Sequence, residues 1–381
     1  MGLSTDSLLA RVRPSCSKLI AHEFSSVRIN KGKARKFYED LDVKEFEKLA
    51  EPMNFPLNFH SQRDELNFLT LYGLLNFGSG FRKDLHKYAD RGAHDTIVFG
   101  LIGMYISVPK LDARYMTKLT IDLVANYFSI PLEKDEEVSP GIYMSKPGPL
   151  KPLAAMIQRI LNECGQKLLD LKMTDFGAFV EANLSPKPSD DGKEKAKINP
   201  SSSAVYLVDQ LVATFPGFGD HYEIHGEKVY LLKRAQLAVA CIHRRFEGAD
   251  SKLMFKDINK LTALSDNVLP CVLHAVGVLE YDPELEARIN QNEELPAGQY
   301  ECELRAAALV ACDEIVKASK GRINILQLDY YLWRLECMTQ PPWPCRLCHR
   351  SRWLQDSLQR HTLRLKFLAR TGAAYNYLVM E

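Results

Sequence analysis

Neither sign of charge is in surplus. In 381 residues, 49 Lys and Arg stand against 48 Asp and Glu, a formal charge of +1. A partner held mainly by phosphate neutralisation along a nucleic-acid duplex requires a basic excess, so a stable nucleic-acid complex is not expected. Long hydrophobic runs are also missing. The longest, 97–108, is broken by Gly100 and Gly103 and falls short of the roughly 20 residues that cross a bilayer. The start, Met1-Gly2-Leu3-Ser4-Thr5-Asp6-Ser7, shows no basic stretch leading into an apolar core, and Asp6 stands where a myristoylation signal needs Ser or Thr. These absences point to a cytoplasmic protein without a membrane partner.

Familiar cofactor signatures are absent too. There is no GxxxxGK[ST] phosphate loop, no GxGxxG after a strand and no HExxH. The nine cysteines are odd in number and set mostly in apolar runs, which suits buried thiols in a reducing compartment. Cys345 and Cys348, followed by His349, form a single CxxC with no second pair at zinc spacing. His221 and His225 lie four apart, but no third ligand is evident, and they read as exposed hairpin histidines. No metal is expected.

What the chain does carry is an ordinary globular balance, 46% apolar and 25% charged, with ample length for a continuous core. Helical three-to-four spacing runs through 64–77, 153–171, 234–246, 268–279, 301–319 and 323–335. One β signal stands out at 222–232, where His225-Gly226-Glu227-Lys228 forms a tight connection between two β-rich arms. Residues 185–203, SPKPSDDGKEKAKINPSSS, read as an exposed insertion, because helical patterns resume on both sides. The expectation is a mainly α fold: one helical domain over 1–340 with a small β-hairpin, then a tail, 341–381, of undefined structure.

Two carboxylates sit where a carboxylate is costly. Asp329, in INILQLDYYLW, shares a helical face with Ile325, Leu326, Leu332 and Trp333. An ionised group there loses several kcal/mol of hydration unless it is paired or hydrogen-bonded. Its partner is either structural, such as an Arg or a capped helix end, or a ligand's donor. Asp266 precedes Pro270 and an apolar helix, so Ser265 or Asp266 lies close to the helix N-cap. The helix dipole favours an anion there. Asp266 is then either a plain cap or a fixed negative charge for a cation formed during reaction.

At these residues the sequence resembles a known family. FKDINKLTALSDNVLPCVLHAVGVLEY (255–281) and INILQLDYYLW (323–333) resemble the queuosine salvage proteins, the queuosine 5'-phosphate N-glycosylase/hydrolases. Leu75-Asn76-Phe77, RILNECGQKLL (159–169), FPGFGD (215–220) and KRAQ (233–236) match characteristic family segments in the same order, so the resemblance spans roughly 45–335. It implies hydrolysis of the N-glycosidic bond of queuosine 5'-monophosphate, releasing queuine for tRNA modification. It also implies a helical fold similar to helical DNA glycosylases, with no cofactor. Carried over, Asp266 matches the catalytic Asp, and Asp329 and Tyr330 match positions that hold the nucleoside.

The chemistry agrees with the resemblance. Breaking an N-glycosidic bond places positive charge on the ribose C1' and ring oxygen, which a nearby carboxylate stabilises. Asp266 is expected to do this and to orient water, with covalent attack left open. Asp329 is expected to accept donors from the base, and Tyr330 to stack on it or hydrogen-bond to it.

Departures from the family pattern concern recognition. Leu264 stands where many relatives have Phe, which affects the wall over the base. Arg334 stands where many have Asp, which removes a negative charge from the expected pocket. The family's substrate-contacting His falls by spacing near Asn54, and His60 lies too close to take its role. Lys233, Arg234 and Arg82 are available to the 5'-phosphate or as surface charges. Two other readings compete: a silent nucleoside-binding or scaffold protein, and a glycosylase acting on intact nucleic acid.

Overall fold

A computed structural model describes residues 7–50, 55–184, 202–247, 252–291, 293, 295 and 298–339. Helices dominate: α1 (Val12–Ile20), α2 (Lys31–Glu39), α3 (Val43–Leu49), α4 (Gln62–Leu74), α5 (Arg82–Ala89), α6 (Ala93–Ser107), α7 (Ala113–Met116) and α8 (Ile121–Phe128) occupy the first part. They are followed by α9 (Lys151–Asp170), α10 (Phe176–Ala182), α11 (Ala204–Thr214), α12 (Lys233–Arg245), α13 (Val268–Ala275), α14 (Pro283–Asn290), α15 (Gln299–Ala318) and α16 (Ile325–Thr339). Three two-stranded antiparallel sheets lie among them, pairing β1 (Val27–Ile29) with β6 (Leu279–Tyr281), β2 (Glu133–Ser139) with β3 (Ile142–Pro147) and β4 (His221–Ile224) with β5 (Glu227–Tyr230). The mainly α expectation is met.

The core gathers around α4. The Ser61 side chain caps it, accepting the Asp64 N–H at 3.1 Å, and every residue from Glu65 to Leu74 is buried. A helix apolar on nearly all sides belongs inside. Helices α6, α10 and α12 pack on it. The crossing with α12 is close: a Cβ on Gly73 would lie 2.6 Å from the Ala238 Cβ and 2.8 Å from its backbone nitrogen. Only glycine permits that approach, which brings the end of α4 beside the start of α12.

Helix α13 is shorter than its pattern predicts. Apolar periodicity runs to 279, but Gly277 adopts φ +73° and turns the chain, so the helix stops at Ala275. Residues beyond it join β6, with Leu279 opposite Ile29. The expected hairpin is present as β4 and β5, with His225 at φ 53° and Gly226 at φ 74° in its turn. His221 and His225 sit on it as expected, and the His22 ring stacks on His225 at 4.7 Å. Among the described residues, no group of three or more His, Cys, Asp or Glu is placed to hold a metal ion.

The β2–β3 hairpin was not legible from pattern. Every residue of β2 is exposed, so its sequence carries no in–out alternation. Most of the 185–203 segment, and the CxxC with its neighbouring tail, lie outside the described residues. The two serines at the end of that segment depart from the exposed reading. Ser202 is buried, and Ser203 caps α11 by accepting the Tyr206 N–H at 3.1 Å. No helix of the described residues is long and apolar enough to cross a membrane.

Candidate active site

Asp266 occupies the turn before α13. Its Oδ1 accepts the Val268 N–H at 2.9 Å, so the carboxylate sits close to the helix start as the pattern predicts, one residue before the N-cap, Asn267. Its Oδ2 lies 3.2 Å from the Lys233 Nζ, and both side chains are buried. The Lys233 ammonium also donates to the Asn76 side-chain oxygen and, at 3.4 Å, to the Asn76 carbonyl. A buried ion pair of this kind holds together only when its remaining donors are satisfied, and here they are.

Lys233 opens α12 directly after Leu232, a non-glycine residue at φ 55°. The strained turn is held by Asp220, whose backbone carbonyl accepts the amides of Leu231 and Leu232 and whose Oδ2 accepts the Lys233 N–H at 3.1 Å. Asp220 is in turn gripped by Arg305 of α15 through two bonds of 3.0 and 2.8 Å. The same guanidinium donates at 3.0 Å to the Ser265 carbonyl. One buried Arg therefore fixes both the turn that presents Lys233 and the turn that presents Asp266.

Asp329 resolves its own cost locally. Its apolar neighbours Ile325, Leu326 and Leu332 are buried as the helical spacing predicts, and its Oδ1 accepts the Leu264 N–H at 2.7 Å. Burial, and next the negative charge of Asp266, push the Asp329 carboxyl up to about 7. The influence of Asp266 and Lys233 on it places all three in one electrostatic neighbourhood. Leu264 is itself buried and touches Asp329 through its backbone.

Tyr330 forms the next part of the wall. The Arg244 guanidinium lies 4.1 Å over its ring, and its hydroxyl meets the Cys241 Sγ at 3.9 Å. Arg244 also donates to the Ala50 carbonyl at 2.5 Å, while its buried Nη1 has no hydrogen-bond partner among the described residues. One helical turn beyond Tyr330, Arg334 is partly exposed and donates to the Lys48 carbonyl at 3.3 Å. His94, in the first turn of α6, meets Trp333 edge-on at 4.8 Å and Tyr72 at 6.3 Å. Burial lowers its basicity, with further influence from Asp95, Lys233 and Asp266.

The structure thus brings Asp266, Asp329, Tyr330 and the backbone of Leu264 together. It adds Lys233, Asn76, Tyr72, His94 and Arg244, whose roles the linear pattern did not reveal. Asn76 lay within a recognised motif. Lys233 was visible only as a cation; the partner that defines it is distant in sequence. Its neighbour Arg234 is half-buried and donates to the Gly219 carbonyl at 2.8 Å, so neither is a freely solvated charge. Asn54 lies outside the described residues, and the His60 amide donates to the Tyr105 hydroxyl at 3.1 Å.

Comparison with known proteins adds an independent finding. The family model described as queuosine salvage protein matches residues 107–353. A Sphaerobacter thermophilus protein named queuosine 5'-phosphate N-glycosylase/hydrolase is 33% identical over 230 residues, covering 59% of this chain and 60% of that protein. Proteins of the same name from Bos taurus and Mus musculus are 30% identical over 239 residues and 29% over 227, each covered over 60% of its length. The chain thus matches about 60% of the length of these curated relatives. Most of the residues just described fall inside the matched region, and the chain belongs to the queuosine salvage protein family.

Proposed function

We propose that this protein hydrolyses the N-glycosidic bond of queuosine 5'-monophosphate and releases queuine for reuse in tRNA modification. The observation that carries this reading is Asp266, a buried carboxylate ion-paired with Lys233 and bonded to the first amide of a helix. As the glycosidic bond breaks, positive charge grows on the ribose C1' and ring oxygen. A fixed anion in a water-poor site stabilises that charge far more than one in bulk solvent.

The other groups divide the work of recognition. Asp329 accepts donors from the deazaguanine and attracts the cationic amine of queuine. Tyr330, one face covered by Arg244, flanks the base. Leu264 closes the pocket with an aliphatic wall, and Arg334 places a cation at its rim. The acid–base work falls to side chains, and no cofactor is required.

The test is incubation with queuosine 5'-monophosphate, queuosine and queuosine-containing tRNA, with free queuine measured by mass spectrometry. Release from the monophosphate supports the reading. Release only from tRNA favours a nucleic-acid glycosylase, and release from none favours a binding or scaffold protein.

A further inference from the structure

Hydrolysis needs an acceptor for the proton of the attacking water, and Asp266 is poorly placed to be that acceptor. Its two oxygens already take the Val268 N–H and the Lys233 ammonium. Protonating it would strand the buried Lys233 charge without its counter-ion. An anion so engaged serves to steady a cation and not to collect a proton.

His94 packs against Tyr72 and against Trp333, one helical turn beyond Asp329, with its ring uncommitted. No described residue hydrogen-bonds either ring nitrogen, while Trp333 and Tyr72 hold the ring edge-on from α16 and α4. Its charged surroundings are Asp95 on its own helix, Lys233 from α12 and Asp266 from the turn before α13. Burial disfavours the imidazolium, so the resting ring is the neutral form that accepts a proton. Once protonated, the ring is favoured by the negative charges of Asp95 and Asp266.

Building on the glycosylase reading, we propose that His94 is a further catalytic residue, the general base that takes the proton of the attacking water. The bond from C1' to the base nitrogen breaks, and its electron pair leaves with the base. The water oxygen bonds to C1', one water proton passes to the His94 ring nitrogen, and the departing base nitrogen gains a proton from solvent. His94 then returns its proton to solvent, leaving ribose 5-phosphate and queuine with its ring nitrogen protonated.

The test uses the full chain and queuosine 5'-monophosphate. His94→Phe keeps an aromatic ring against Trp333 and Tyr72 and is expected to lose roughly a hundredfold in kcat with KM within about threefold. His94→Ala is expected to lose as much and to recover turnover when imidazole is added, which no packing role explains. Unreduced kcat in the Phe variant, a loss confined to KM, or an Ala variant that imidazole does not restore overturns the proposal. If the Phe variant fails to fold, the Ala variant with imidazole decides. Absence of queuine release by the unaltered protein is a different failure, that of the glycosylase reading, and removes the proposal with it.

Discussion

Asp266 and Asp329 are both buried acids, yet their surroundings assign them different tasks. Asp266 has an ammonium and an amide for its two oxygens, whereas Asp329 has one amide and a negative neighbour. The raised Asp329 pKa means that the native chain holds a proton that the unfolded chain releases between its ordinary value of 3.8 and about 7. Stability from this group is therefore lost as pH rises through that window. Asp329→Asn should raise the thermal midpoint more at pH 8 than at pH 5, the difference bounded by about 3 kcal/mol. An equal shift at both pH values contradicts this. Since the ionised form receives the base, KM for queuosine 5'-monophosphate should fall as pH rises through about 7, and this dependence should vanish in the Asn variant.

Lys233 tests the same logic from the other side. Lys233→Met leaves the Asp266 charge buried and alone, and urea unfolding should show a loss of roughly 3–5 kcal/mol. Adding Asp266→Asn to that variant should restore much of the stability but none of the turnover. Additive losses in the double variant would show that the two side chains do not form the pair described.

At the scale of elements, the site depends on how closely helices approach. Gly73→Ala thrusts a methyl into Ala238, backbone included, and should cost about 1–3 kcal/mol in unfolding experiments. The same change should weaken turnover, because Asn76 and Lys233 meet just beyond this crossing. Helical periodicity revealed the element that carries Asp329 and the place of Asp266 close to a helix start, since burial on one face leaves a repeating pattern in the sequence. Other features leave no such imprint. The end of α13 is decided by one left-handed glycine, and β2 has no buried face to alternate. Lys233 owes its place to the strained Leu232 and to Asp220 and Arg305, contacts made across the fold. Leu264 was noted for its side chain, but its amide is what holds Asp329.

For the whole molecule, charge balance bears on the choice between the proposed small substrate and an intact nucleic acid. With +1 formal charge in 381 residues, the chain as a whole carries no basic excess. Queuine release from the monophosphate should therefore change by less than about threefold between roughly 50 and 200 mM salt, whereas a duplex-binding enzyme loses orders of magnitude over that range. A steep salt dependence would return the nucleic-acid reading to the front.

In the proposed reaction one anion stands beside the breaking bond, and Asp266→Asn removes its charge with little change of shape. With native circular dichroism retained and queuosine 5'-monophosphate still bound, single-turnover queuine release should fall by about a thousandfold or more. Release at the unaltered rate in that folded, substrate-binding variant would contradict the role given to Asp266.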